Sequence, residues 1–174
     1  VRVDFPQSGV RHSRKVWNHV DEMRVSPDRL NLLARNGVRI GVGGEQAWPA
    51  LRAIFEACGA QVRRDELTPG HGFTLAIHLQ QSRDSESIFS YGRSGQLIGK
   101  TFEPGEKLLL IDYSHSADRG GATDLRAGLE FRRDRGELTW EGNGQFVQQV
   151  AAVDRHEFVD LRALTTLTRG EFLV

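Results

Sequence analysis

The sequence holds a single cysteine, Cys58, in 174 residues, so no internal disulfide can form and no thiolate cage can hold a metal. It lacks net charge as well. Its 23 basic residues balance 23 acidic ones, and no overall field draws the chain to nucleic acid or to an anionic membrane. Lysine is scarce, since 20 of the 23 basic residues are arginine; at neutral net charge this reads as a bias of genomic base composition rather than as a phosphate-binding device. Long apolar runs are missing. Leu108–Ile111 and Phe172–Val174 fall far short of the roughly 20 residues that span a bilayer, so no membrane span is expected in this chain. What is present is an ordinary folded composition, 39% hydrophobic and 26% charged, with 19 glycines that announce many tight turns and only 5 prolines. The length suits one domain or two very small ones.

Residues 1–15 carry Arg2, Arg11, Arg14 and Lys15 against Asp4, with Pro6 and Gly9 breaking any period, and read as an extended lead-in or linker. The opening Val1, in place of methionine, suggests a processed chain or a piece of a longer one. Val16, Trp17, Val20 and Met23 recur at helical spacing. Ser26-Pro27-Asp28 then supplies an N-cap, a proline at the first helical position and an early acid, and Leu30, Leu33 and Ala34 mark a buried stripe that Asn36-Gly37 ends. Val38, Ile40 and Val42 alternate as a strand closed by Gly43-Gly44. Trp48, Leu51, Ile54, Phe55 and Cys58 form one face of a further helix that Gly59 stops, and Val62 opens a short strand.

From Thr68 onward helical spacing gives way to period-two alternation bounded by glycine and polar pairs. Phe73, Leu75, Ile77 and Leu79 form one run and Ile88, Phe89 and Tyr91 another, with the polar tract Gln80–Ser87 between them and a turn at Gly92–Gly95. Leu97–Phe102, Leu108–Tyr113, Leu125–Phe131, Leu138–Trp140 and Phe158–Leu167 supply further strands. A hairpin turn is expected at Asp134-Arg135-Gly136. The chain is therefore read as an α+β protein: a lead-in over 1–15, a small helical α/β module over 16–67 with helices near 16–24, 26–36 and 47–58, and an antiparallel β-rich module over 68–174.

Few groups of residues point to chemistry. Gly41-Val42-Gly43-Gly44 before a helix suggests a dinucleotide site, but the sixth position from Gly41 is Gln46 where that fingerprint needs glycine, and Glu45 would repel a phosphate. None of His12, His19, His71, His78, His115 and His156 is paired at metal-ligand spacing, and each reads as a solvent-facing side chain. His78 is out of phase with Leu75, Ile77 and Leu79 and should face away from them. Asp112, Ser114 and His115, followed by Asp118 and Asp124, make the densest cluster of catalytic residue types, although a triad is recognised by geometry and no Gly-x-Ser-x-Gly elbow surrounds any serine. Trp17, Trp48 and Trp140 read as core aromatics rather than as a stacking platform. Mixed charge at Arg132, Arg133, Asp134, Arg135 and Glu137 reads as a solvated turn. No catalytic, cofactor-binding or metal-ligating residue is singled out.

The stretch Trp17-Asn18-His19-Val20-Asp21-Glu22, with Leu30–Gly37 and Val38–Val42 after it, resembles the opening of uncharacterised secreted or envelope proteins from planctomycete-type bacteria. Leu164–Val174, a threonine-rich strand, a Gly-Glu turn and an apolar strand, is similar to the end of the secretin β-domain, whose long membrane-inserting hairpins this sequence lacks. These likenesses imply a module of an extracytoplasmic envelope assembly. The sequence is accordingly read as a non-enzymatic structural or interaction module that meets a protein partner or a copy of itself, with no cofactor and no nucleic acid. The expected partner-binding edge is Leu164, Leu167, Phe172, Leu173 and Val174, which carry no charge of their own. The alternative is a small-ligand-binding domain or a hydrolase with a site around Asp112, His115 and His78.

Overall fold

Gly37 and Gly59 end two helices by the same device. In a computed structural model, which describes residues 2–4, 14–63, 74–116, 121–142 and 147–174, α2 covers Pro27–Arg35 and α3 covers Trp48–Ala57. Each is followed by a glycine at positive φ, 73° and 69°, a conformation that side chains with a Cβ resist. The residue after each glycine returns its N–H to the helix, Val38 to the Leu33 carbonyl at 2.9 Å and Ala60 to the Phe55 carbonyl at 3.0 Å. This double closure satisfies carbonyls that a helix end leaves free. Asp28 in the first turn of α2 and Arg35 in its last complement the helix dipole.

The expected helix over 16–24 divides. Its first part is α1, Arg14–Trp17, and its last is a 3-10 turn, Glu22–Arg24, capped by Asp21, whose Oδ1 accepts the Met23 N–H at 2.9 Å. The capping aspartate competes with helix continuation, which the apolar spacing alone does not register.

The contacts divide the chain into two compact units that are not consecutive in sequence. The first takes Val1–Phe73, Tyr113–Leu125 and Ala163–Val174. Its core is Val16, Leu51 and Phe55, with Trp17, Val20, Trp48, Ile54, Phe172 and Val174 packed around them. Strand β1, Arg2–Asp4, pairs with β3, Gln61–Arg63; β2, Val42–Gly44, pairs antiparallel with β11, Glu171–Leu173. Strand structure thus begins at Val42 rather than at Val38. Phe172 lies opposite Gly43, and a Cβ there would come within 2.5 Å of its ring, so the glycine is required by close packing and not by a phosphate. A 3-10 turn, Glu45–Ala47, precedes α3.

Glu171 ties this unit together. Arg24 donates to both its carboxylate oxygens, at 2.8 and 3.3 Å, and to the Thr166 carbonyl at 2.8 Å, while the Thr168 N–H donates to Glu171 Oε2 at 2.7 Å. The Arg24 guanidinium, and then the Thr168 backbone, hold the Glu171 carboxyl down at about 2. A carboxyl lowered on folding contributes stability above its unfolded range and loses it as pH falls through the folded value. The stability of this unit is therefore expected to drop between about pH 4.5 and pH 2. Urea titrations across that range should show a shallower fall for Glu171→Gln; an unchanged pH slope would contradict the assignment.

The second unit takes Thr74–Asp112 and Arg126–Arg162. It is built on β4, Thr74–Ser82; β7, Gly105–Ser116; β8, Ala122–Gly142; and β9, Val147–Glu157. The sheet order is β4-β7-β8, with β8 also pairing β9; β10, Ala163–Leu167, belongs to the first unit. A separate hairpin joins β5, Glu86–Tyr91, to β6, Leu97–Phe102, through the expected turn, where Gly95 takes φ 79°. Phe102 stacks on Phe131 at 4.4 Å between ring centres, beside His156 and Phe158. The fold class is α+β and rich in antiparallel strands.

Asp134-Arg135-Gly136 is not a hairpin turn. β8 runs through it as a bulge, with Asp134 opposite Val153 and Leu138 opposite Ala151. Gly136 takes φ 70°, its N–H meets Asp134 Oδ1 at 2.8 Å, and Arg135 pairs with Asp154 at 2.5 Å. Turn chemistry here kinks a strand without reversing it. No strand is expected over 147–157, where Gln148, Gln149, Ala151 and Ala152 leave little alternation; β9 forms there as the partner of β8.

Candidate functional site

Two features of the second unit stand apart from its core. The first is a polar groove of about 420 Å³ on one face of the sheet. Residues 126, 128, 130 and 132 of β8 alternate onto that face, joined by Thr74 and Ala76 of β4, Leu110 and Asp112 of β7, and Arg155 and Glu157 of β9. Pairing sets Glu130 opposite Glu157 and Arg132 opposite Arg155.

Three ion pairs order the groove. Arg126 reaches Asp112 Oδ2 at 2.6 Å; Arg132 places Nε and Nη2 on Glu130 Oε1, both at 2.8 Å; and Arg162 pairs with Glu157. Glu130 has only 2% of its side chain exposed, and Arg132 is its ion-pair partner in the groove. Thr74 donates to the other oxygen of Asp112 at 2.5 Å, and this bond, with Arg126, lowers the Asp112 carboxyl below its usual range. A carboxylate kept ionised with both oxygens occupied is a weak base and no acid at neutral pH.

The second feature is an arm. A Cβ on Gly105, the first residue of β7, would come within 2.5 Å of the Arg132 carbonyl oxygen, so β8 runs on past β7 from Arg133 to Gly142, paired there with β9. Leu138 and Trp140 share one face of this ribbon with Ala151, opposite Leu138, with Val147, opposite Gly142, and with one polar residue, Gln149, opposite Trp140. All lie open, with Leu138 65%, Trp140 66% and Val147 68% exposed.

The residues singled out by sequence separate. His78 is exposed and bonds Glu106 at 2.8 Å, facing away from Leu75 and Ile77 as expected. His115 Nδ1 lies 3.5 Å from the Thr123 hydroxyl, and Asp124 accepts from Thr166 at 2.6 Å. Asp112 and His115, three apart on β7, point to opposite faces. Thus Asp112, His115 and His78 each have their own partners. His156 departs from the solvent-facing reading: burial, and then the Lys100 ammonium 3.1 Å away, lower its pKa, and it packs edge-on against Phe158. Trp48 packs edge-on to Phe172 as a core aromatic, while Trp140 is not core. His12, His71, Phe73 and Asp118 lie outside the described residues. Among the described residues no group of three or more His, Cys, Asp or Glu could hold a metal, and no helix is long and apolar enough to cross a membrane.

Of the terminal edge, Leu164 is exposed, while Leu167, Phe172, Leu173 and Val174 are half-buried. Phe172 and Leu173 pair with β2, and Val174 exchanges backbone hydrogen bonds with Gly41 at 2.9 and 3.0 Å. The arm gave one sequence signal, the alternation of Leu138 with Trp140. Comparison with known proteins finds no family model, no curated protein and no solved structure that matches the chain.

Proposed function

We propose that the chain is a non-enzymatic interaction module that assembles through the β8–β9 arm, with a second copy of the chain as the occupant of the arm's apolar face. The exposed row Leu138, Trp140, Val147 and Ala151 carries this reading. A two-stranded ribbon is marginal in water and gains a second layer when its apolar face packs on another sheet. Identical arms related by a two-fold axis offer each other the same apolar surface, which is how closed dimers form. The bulge at Asp134–Leu138, fixed by Gly136 and by the Arg135–Asp154 pair, sets the direction of the arm at its root. The setting that goes with this reading is an extracytoplasmic envelope assembly, supported by the resemblances of the opening and closing stretches. The terminal edge, with exposed Leu164, offers a smaller apolar surface than the arm.

Light scattering on the purified chain tests the reading. Mass should rise from that of the 19.5 kDa monomer as concentration reaches tens of micromolar. A strictly monomeric species throughout that range would overturn it.

A further inference from the structure

The groove holds a charge that its ion pairs leave over. Its four arginines, Arg126, Arg132, Arg155 and Arg162, face three carboxylates, Asp112, Glu130 and Glu157. Three of the arginines are matched one to one by those carboxylates. Arg155 has no acidic partner among the described residues, and it stands directly opposite Arg132 on the neighbouring strand. Like charges at directly opposed positions have Cβ atoms about 5 Å apart and destabilise the pairing. Burial of Glu130 beneath Arg132 keeps that guanidinium in place, so it cannot swing away.

We infer that the groove is a binding site for a phosphate-type oxyanion held between Arg132 and Arg155. Arg132 spends Nε and Nη2 on a single oxygen of Glu130, which leaves Nη1 outside that pair, and Arg155 brings a whole guanidinium fork. Two guanidinium groups that need not be coplanar match a tetrahedral anion with several acceptor oxygens better than they match chloride. The anion converts a repulsive cross-strand pair into a bridged one. The volume of about 420 Å³ exceeds what inorganic phosphate fills, and Ala76 and Leu110 line part of it, which leaves room for the organic portion of a phosphomonoester. This assigns a specific role to two members of an arginine-rich set that composition alone explains as genomic bias.

Thermal unfolding and isothermal calorimetry with inorganic phosphate and with glycerol phosphate, against sodium chloride at matched ionic strength, test this site. With the anion ten-fold above its dissociation constant, the wild-type chain should gain about 3–6 °C in melting temperature and show saturable heat. A response to either phosphate compound supports the site, and a response to the ester alone identifies the organic form as its ligand. Arg155→Gln should abolish the gain, while Arg83→Gln, an exposed arginine between β4 and β5, should retain it. Equal gains in the two variants, or no gain over chloride in the wild-type chain, would overturn the inference. Circular dichroism of Arg155→Gln before titration separates loss of the site from loss of the fold.

Discussion

Replacing Leu138 and Trp140 together by serine is expected to abolish concentration-dependent association while leaving the melting temperature of the free chain within about 3 °C of wild type. Both side chains are about two-thirds exposed, so the isolated chain loses almost no packing when they are cut back. Within an assembled pair of arms they become the central buried anchors, and an aromatic anchor of this kind typically costs 2 kcal/mol or more, or about 30-fold in affinity. Sedimentation velocity over a concentration series reads the difference. Leu164→Ser, which removes an equally exposed leucine elsewhere, should leave association unchanged. Retained association in the double variant would place the contact somewhere other than the arm.

Leu51→Ala is expected to destabilise the first unit by about 3 kcal/mol, because Leu51 has no exposed surface and lies with Val16 and Phe55 at the centre of the helical core. The large effect comes from the cavity as well as from the lost transfer energy, since surroundings relax only partly around a truncated core side chain. Trp48, one turn before Leu51 in α3 and in edge contact with Phe55 and Phe172, reports on the transition by fluorescence. Leu164→Ala should stay within about 0.5 kcal/mol of wild type. A cost below about 1 kcal/mol for Leu51→Ala would contradict the packing of α3.

How much of this was legible in the sequence depends on the range of the interaction that decides each element. α2 and α3 were legible because their apolar spacing and the glycines after them are local, and the β5–β6 hairpin because Gly92–Gly95 closes it locally. β8 was not legible as one strand. Asp134-Arg135-Gly136 has the residues of a reversing turn, and only its pairing with β9 makes it a bulge. The helix expected near 16–24 failed for a local reason that spacing misses, the competing cap at Asp21. The groove was invisible for a different reason. Arg132 and Glu130 could be assigned to one face by their spacing of two, but Arg155 reaches that face only through a register between strands. The Asp112 and His115 cluster, dense in sequence, came apart because three residues along a strand place side chains on opposite faces.

Photo-cross-linking from position 140 tests the arm most directly. With p-benzoylphenylalanine in place of Trp140, irradiation at tens of micromolar should yield a covalent species at twice the 19.5 kDa monomer mass, with the cross-link mapped to residues 138–151 of the second copy. The same reagent in place of Leu164, which leaves the arm and its association intact, should give no covalent dimer. A monomer from position 140, or cross-links scattered over residues outside the arm, would contradict assembly through the β8–β9 ribbon.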